Sequence, residues 1–555
     1  VVADGSAAGT VINMVAPQFV EQRQMFFVDY NPDNIYGFTV QQGKSVNSAV
    51  FNNAGLNNGT EILNHVTTAV TSVAAGVDVW ALRTAVGISG TNPIQIRSGG
   101  LIASGSSMTI SAPLVFSNGG KVEADIWTNV GTGSLTLSGP ITAENMTKNG
   151  LGVLVLAGAN TNLTGTLQLN GGTVQVRGGN LGAGGLTTVR LHGAYLNNDG
   201  SFQMPRLDLR ANTGDTATQA FNFDVIVAAE MPYAEIYNDR WTGSASNRTN
   251  TINNLTIEGG GAAGTVLAFL NGNDFDFTVV GTTTLGVYDT TSIGINVQNN
   301  SSTNRVTLAG AVVGSSGIVK SGNGILRLSN INNEYIGNTV LNDGTLELLN
   351  ATTTTDARLL GYGTLELNRG SMTFFSNTTN TNFLNSNDVN VNGQVQLTFA
   401  RESGTTGAVT HQLGYDSAVL RFSGSGVLQI NSSSNVALPV WNGSTIVTGN
   451  QTINVNTSST IGLTLGNNSA GDAVTGDGRI VKTGFGQLIF NTGNANTFTG
   501  GLDIMAGRVK VLTNDDTLGL GAIRMSPGAI LDILVPGNIT GAGITQFAAN
   551  SAHNT

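Results

Sequence analysis

Lys320-Ser321-Gly322-Asn323-Gly324-Ile325-Leu326-Arg327-Leu328, with Gly337 and Gly344 behind it, decides how the rest of the chain is read. The same skeleton stands at Lys148-Asn149-Gly150-Leu151-Gly152, followed by Val153 to Leu156, Gly165 and Gly172. It stands a third time at Lys482-Thr483-Gly484-Phe485-Gly486, followed by Gln487 to Phe490, Gly500 and Gly507. The agreement continues through Thr173-Val174-Gln175-Val176, Thr345-Leu346-Glu347-Leu348 and Arg508-Val509-Lys510-Val511, and on to Leu-Gly-x-Gly at 181–184, 360–363 and 518–521. One unit written three times marks a repeat protein, whose core grows along one axis instead of closing into separate globules.

Around these landmarks the pattern is that of short strands. Gly133-Ser134-Leu135-Thr136-Leu137, Thr364-Leu365-Glu366-Leu367 and Thr452-Ile453-Asn454-Val455 alternate apolar and polar residues, with Gly, Asn or Ser close by. The three copies lie too far apart for each to be a single supersecondary unit, so many smaller coils must lie within each. Three strands with their turns close a coil of about 20 to 30 residues. The predicted fold is therefore all-β, a right-handed parallel β-helix (β-solenoid) with glycine or asparagine at its corners, where positive φ costs least. In the three copies Val153 to Leu156, Ile325 to Leu328 and Gln487 to Phe490 are equivalent parallel strands. Alternation turns Leu154, Leu156, Leu326, Leu328, Leu488 and Phe490 inward, because Arg327 and Gln487 must face out. Residues 51–200, 201–375 and 376–555 are expected to be three β-helix units, the last truncated or continuing. Residues 1–50, with Met25-Phe26-Phe27-Val28-Asp29-Tyr30, fit the repeat least and are expected to be a cap or joining segment.

Composition narrows the function. Of 555 residues only 10% are charged, against about 25% in ordinary soluble domains, while Gly contributes 75 and 40% are hydrophobic. With 24 basic against 34 acidic residues, a net charge of −10 and no basic run, nucleic acid is excluded as a partner. The absence of cysteine removes disulfides, Cys-ligated zinc and thiol catalysis. No apolar run reaches the roughly 18 residues of a membrane helix.

Gly317 to Leu328, followed by Tyr335-Ile336-Gly337 and Asp343-Gly344-Thr345-Leu346-Glu347-Leu348, resembles the autotransporter-associated β-strand repeat, also called the passenger-associated transport repeat. Gly478 to Val511 is similar to the same degree, and the first copy departs from the family pattern at Glu144-Asn145-Met146. The resemblance implies a passenger-type β-helix of a secreted bacterial protein at the cell surface, in a family where the repeat is associated with passenger translocation and folding. It transfers no catalytic residue. The outer-membrane barrel of an autotransporter has no counterpart in these residues, so the chain is expected either to be the ordered part of a longer protein, meeting the outer membrane only through a part not present here, or to reach the surface without a barrel of its own.

The search for chemistry returns little. Gly-x-Gly beside Lys148, Lys320 and Lys482 resembles half of a phosphate loop, but a strand follows instead of a helix. Lys148, Gly150, Gly152, Lys320, Gly322, Gly324, Lys482, Gly484 and Gly486 are therefore taken as structural corner residues. His65, His192, His411 and His553 show no metal-binding spacing and are expected at solvent-facing or turn positions. Asn271-Gly272-Asn273-Asp274-Phe275-Asp276 is a lone acidic cluster without calcium-loop register. No catalytic, metal or cofactor residue is assigned, and no cofactor is expected. In Tyr237, Asp239, Arg240 and Trp241, aromatic faces beside polar groups offer glycan contact, against the plainer reading of a loop packed over the helix side.

The expected function is a noncatalytic, extracellular structural or adhesive fibre whose partners are surface glycans and further copies of itself, joined end to end as a filament. Two alternatives stand beside it. One is a polysaccharide lyase or hydrolase on the same fold, for which Asp515-Asp516 are the adjacent carboxylates. The other is an adhesin with a defined glycan ligand.

Overall fold

The computed structural model describes residues 2–3, 11–12, 20–21, 25–30, 38–40, 44–46, 51, 57, 59–65, 67–128, 133–178, 185–193, 195–196, 202–211, 218–229, 231–244, 246–259, 264–287, 292–298, 305–350, 357–376, 381–384, 387–401, 409–414, 417–432, 437–513, 518–534 and 544–547. By contacts the chain divides into one unit of Val1–Glu258 with Leu267–Thr278 and a second of Gly259–Val266 with Val279–Thr555. Each is a parallel β-helix.

In the first unit, Ser107–Ile110, Ser134–Leu137, Val153–Leu156, Thr173–Arg177, Arg206–Ala211 and Tyr233–Arg240 pair in that order, every pair parallel. A second face runs through Lys44–Val46, Ile62–His65, Ala81–Thr84, Gly100–Ala103, Ala124–Thr128, Ile141–Asn149 and Asn162–Leu169, also parallel throughout. Each step to the next strand of a face is one coil, so like residues stack. Leu135, Leu154, Val174, Leu207 and Ile236 occupy one register row, and Leu137, Leu156, Val176 and Leu209 the row two residues on. All nine are at most 1% exposed.

The second unit repeats the arrangement. Val306, Leu326, Leu346, Met372, Leu397, Ile430 and Val455 form one inward row. Leu488 lies between Leu463 and Val509 in another. The six residues expected to face inward are all buried, while Arg327 and Gln487 stand on the opposite side of their strands. Burying one such Leu or Ile contributes about 1.5–3 kcal/mol, and these uninterrupted rows are the main source of cohesion.

Coil length varies more than the expected 20 to 30 residues. Val153 pairs with Thr173, twenty residues on, but Thr173 pairs with Arg206 and Gln394 with Val427, each thirty-three residues on. The surplus in the first of these includes an antiparallel pair, Tyr195–Leu196 with Phe202–Gln203, that leaves the inward rows unbroken.

In the N-terminal segment Val20–Glu21 pairs antiparallel with Phe26–Tyr30 and Phe26–Tyr30 with Phe38–Val40, while Lys44–Val46 already belongs to the parallel second face. Met25 and Phe27 are buried in a cluster with Ile62, Trp80, Ala81, Ile102 and Trp127. Ile102 and Trp127 share a register row with Asn64 and Arg83, one residue out of phase with the Leu63, Leu82, Leu101 and Ile126 row. The segment thus covers the outer side of the first unit across several coils. Arg83 ties it down, donating from Nε to the Met25 carbonyl at 2.6 Å while its guanidinium lies 3.9 Å from the Phe26 ring centre.

Two histidines are corrected by the structure. His65 and His411 are fully buried, not solvent-facing or in turns. His65 meets Phe51 edge-on at 5.0 Å. His411 stacks on Phe383 at 5.2 Å and meets Phe399 edge-on at 5.4 Å, an aromatic among aromatics. Burial lowers the His411 imidazole to about 4 against a smaller opposing effect from the Ala400 backbone, so its ring is neutral at neutral pH. His192 is exposed, and His553 lies outside the described residues.

Candidate functional site

The lysine of each repeat stands beside its corner with its side chain inside. It lies within an inward row. Lys148 follows Leu101 and Ile126 and precedes Leu169 in register; Lys320 stands between Ile295 and Leu341, and Lys482 between Ile453 and Ile504. All three are fully buried. A buried ammonium is tolerated only where acceptors replace water, and here the acceptors are backbone carbonyls.

The carbonyls are equivalent from copy to copy. Lys148 Nζ donates to Gly150 O at 2.6 Å and Gly171 O at 2.8 Å. Lys320 Nζ donates to Ser321 O at 2.9 Å, Gly322 O at 2.7 Å and Asp343 O at 3.1 Å. Lys482 Nζ donates to Thr483 O at 2.7 Å, Gly484 O at 2.8 Å and Ala506 O at 3.1 Å. One set of bonds closes the lysine's own corner, and one bond reaches the corner of the next coil. The clamp satisfies carbonyls that the turn withdraws from the sheet ladder.

The glycines make room for it. Gly150, Gly322 and Gly484 hold φ of +78°, +74° and +77°, which turns the chain away from the strand. The carbonyls of Gly152, Gly324 and Gly486 accept from the first amide of the next strand, at Thr173, Thr345 and Arg508. A Cβ on Gly344 would stand 2.2 Å from Gly322 O and 2.8 Å from Lys320 Nζ. On Gly507 it would stand 2.3 Å from Gly484 O and 3.0 Å from Lys482 Nζ. The spacing from lysine to second glycine is therefore one coil, and the two residues are one device. Burial lowers Lys148 to about 7, and Lys320 and Lys482 to about 8.

Tyr237, Asp239 and Arg240 belong to the strand Tyr233–Arg240, which corrects the expectation of a loop folded over the helix side. Three strands of the first unit stack their outward residues as a grid: Thr173, Arg206 and Glu235; Gln175, Asp208 and Tyr237; Arg177, Arg210 and Asp239. Asp208 accepts from Arg206 at 2.6 Å and Arg210 at 2.9 Å. Asp239 accepts from Arg210 at 3.2 Å, from the Tyr237 hydroxyl at 3.1 Å, and from Asn273 Nδ2 at 2.7 Å. Guanidinium groups of Arg206 and Arg210 lie 4.3 and 4.5 Å from the Tyr237 ring centre. The cluster expected as a lone acidic loop is thus in part a lid, since a Cβ on Gly272 would stand 2.4 Å from Asp239 Oδ2. Of the expected glycan contacts, Tyr237 and Asp239 are consumed by this network, and the Arg240 backbone joins it by donating to Asp239 at 2.7 Å. Trp241 stays 40% exposed, with the Arg177 guanidinium 4.8 Å from its ring centre. Arg177 went unread in the sequence because its place beside Arg210 depends on a coil of irregular length.

Among the described residues no three His, Asp or Glu side chains converge as a metal site. Asp515 and Asp516 lie outside the described residues.

The lysine clamp recurs once in each copy of the repeat along the parallel β-helix. The passenger-associated-transport-repeat family model matches residues 146–176, 318–348 and 480–511, so the chain carries three such repeats. Each match contains one clamp lysine and the glycine that accommodates it. Neither a curated protein nor a solved structure matches the chain. The repeat family implies a secreted or cell-surface protein.

Proposed function

We propose that the chain is a noncatalytic extracellular passenger fibre, built for reach and for presenting its outer faces to surface glycans or to sister chains. The observation that carries this reading is the lysine clamp. The most elaborate polar chemistry in the repeat is directed inward, at backbone carbonyls, and serves coil-to-coil register. A device that fixes each new coil on the last suits a chain that folds progressively after export, since each completed coil offers the ladder edge and carbonyls for the next. Continuous inward rows then give a stiff fibre without disulfides, and outer faces and corner insertions remain available for contact.

The test is direct. Purified protein is incubated with a panel of neutral and acidic polysaccharides and assayed for new reducing ends and for unsaturated products. No release above a heat-treated control is expected. Release that tracks the folded protein overturns the noncatalytic reading in favour of the polysaccharide-active alternative. Antibody labelling of intact, unpermeabilised producing cells tests the location, and label only after permeabilisation overturns it.

A further inference from the structure

We propose that Arg177 and Trp241 form a binding site for an acidic saccharide, one bearing a carboxylate or sulfate, on the outer face of the first unit. The charge distribution of the grid leads there. Asp208 and Asp239 are each held by two or more donors, and Glu235 accepts from the Tyr233 hydroxyl at 3.1 Å with Arg206 3.8 Å away. Arg206 and Arg210 have carboxylate partners. Among the described residues Arg177 has none: Nε donates to the amide oxygen of Gln175 at 2.9 Å, and no described carboxylate bonds to its terminal nitrogens. It stands in register with Arg210, whose carboxylate partners are Asp208 on Arg210's own strand and Asp239 on the strand beyond. Arg177 thus stands at the edge of this network with Gln175 as its hydrogen-bond partner, in a chain of net charge −10.

The neighbouring indole gives that guanidinium a chemical direction. A guanidinium fork suits a planar carboxylate or a sulfate, which two parallel N–H groups can hold at once. An aromatic face with water beside it suits the apolar face of a pyranose ring. Arg177 and the Trp241 ring, 4.8 Å apart, put both within the span of one sugar residue. Tyr237 cannot serve, because guanidinium groups and Asp239 already occupy it. Arg177 is also braced: its strand neighbour Gln175 fixes the inner edge of the guanidinium, leaving the terminal nitrogens as the reactive end.

The experiment is titration of the intact chain, by calorimetry at low salt, with polygalacturonate oligomers, dextran sulfate and neutral dextran. Binding of at least one acidic polymer without binding of neutral dextran is expected, weakening as salt rises. Arg177→Gln and Trp241→Ala should each weaken it at least tenfold, whereas Arg369→Gln, an exposed arginine of the second unit, should leave it unchanged. Circular dichroism of each variant establishes folding; if Arg177→Gln fails it, Arg177→Lys replaces it and should weaken binding by losing the fork. Which acidic polymer binds separates uronate from sulfate recognition. No binding of either, equal binding of neutral dextran, or unchanged binding by a folded Arg177 variant overturns the proposal. Loss of this site would leave the noncatalytic reading intact, since that reading is judged by product release and not by affinity.

Discussion

Lys320 and Asp343 meet across a coil boundary: the lysine ammonium donates to the Asp343 carbonyl at 3.1 Å, while the Asp343 carboxylate turns outward to Arg369 at 2.8 Å. The bond inside is to backbone, so residue 343 can be Gly171 or Ala506 in the other copies without loss of the clamp. This explains why the lysine recurs in all three repeats while the residue it reaches does not.

Replacing Lys320 by Met keeps the volume and removes the donors. Three half-buried carbonyls then lose a partner, at about 1–3 kcal/mol for a group left fully unsatisfied, partly offset by the relieved cost of burying a charge. The expected net change is about 2 kcal/mol, felt locally. Because long repeat arrays do not unfold as a single unit, hydrogen exchange at Gly322 to Asn323 and Asp343 to Thr345 is the appropriate measure. Protection unchanged there would remove the clamp from the stability of the repeat.

The clamps also set a pH dependence. Burial holds Lys148 near 7 and Lys320 and Lys482 near 8, all below the ordinary 10.5, so between those values and 10.5 the unfolded chain binds more protons than the folded one. Stability from these groups therefore rises with pH over that window, and the cost of the buried charge is borne in full below it. Tyrosine ionisation complicates the upper end, so pH 7.5 to 9.5 is the range to examine. Wild type should gain in urea midpoint across it relative to Lys482→Met. Parallel curves for the two proteins would contradict the lowered lysine.

Gly344→Ala and Gly178→Ala separate crowding from backbone strain. Both glycines have positive φ, +68° and +58°, but a Cβ at 178 meets nothing within 4 Å, whereas at 344 it collides with Gly322 O and Lys320 Nζ. Gly178→Ala should cost about 1–2 kcal/mol, the ordinary left-handed penalty. Gly344→Ala should cost distinctly more and lower hydrogen-exchange protection in the preceding coil as well as its own. Equal costs would show that the corner yields and the clamp does not fix it.

Much of the solenoid is legible in the sequence because a parallel coil obeys simple alternation: Leu326 and Leu328 face in since Arg327 cannot. The lysine was read as a structural corner residue, without the burial of its side chain. Its position was nonetheless encoded, for in Ile318-Val319-Lys320 and Ile480-Val481-Lys482 the lysine shares parity with an inward isoleucine. Parity is the stronger signal here because the acceptors that make a buried lysine tolerable are backbone atoms, which no side-chain pattern records. The Arg177 grid lay beyond reach for another reason. Its residues are brought together by coils of thirty-three and twenty-nine residues, and no spacing in the sequence announces those lengths. His411 was likewise hidden, since it acts as one ring in a stack with Phe383 and Phe399 that only inter-coil register assembles.

The N-terminal segment gives the last prediction. Met25 and Phe27 cover Ile62, Ile102 and Trp127, apolar residues on a sheet face that would otherwise meet water. Removing residues 1–42 uncovers them while leaving the Lys44–Val46 strand in place to pair with Ile62–His65. A contiguous apolar face of this kind drives association. The truncated protein should therefore form larger species by light scattering, with its tryptophan emission shifted to the red in whatever monomer survives, because Trp80 and Trp127 are two of four tryptophans and both lie under the segment. Phe27→Ala is the milder test: losing a buried ring costs about 3–5 kcal/mol, enough to detach the segment without touching a coil. Detachment should reproduce the red shift and make the Phe26–Tyr30 region cleavable by protease. A truncation that stays monomeric with unshifted emission would mean that the segment contributes nothing to covering this face.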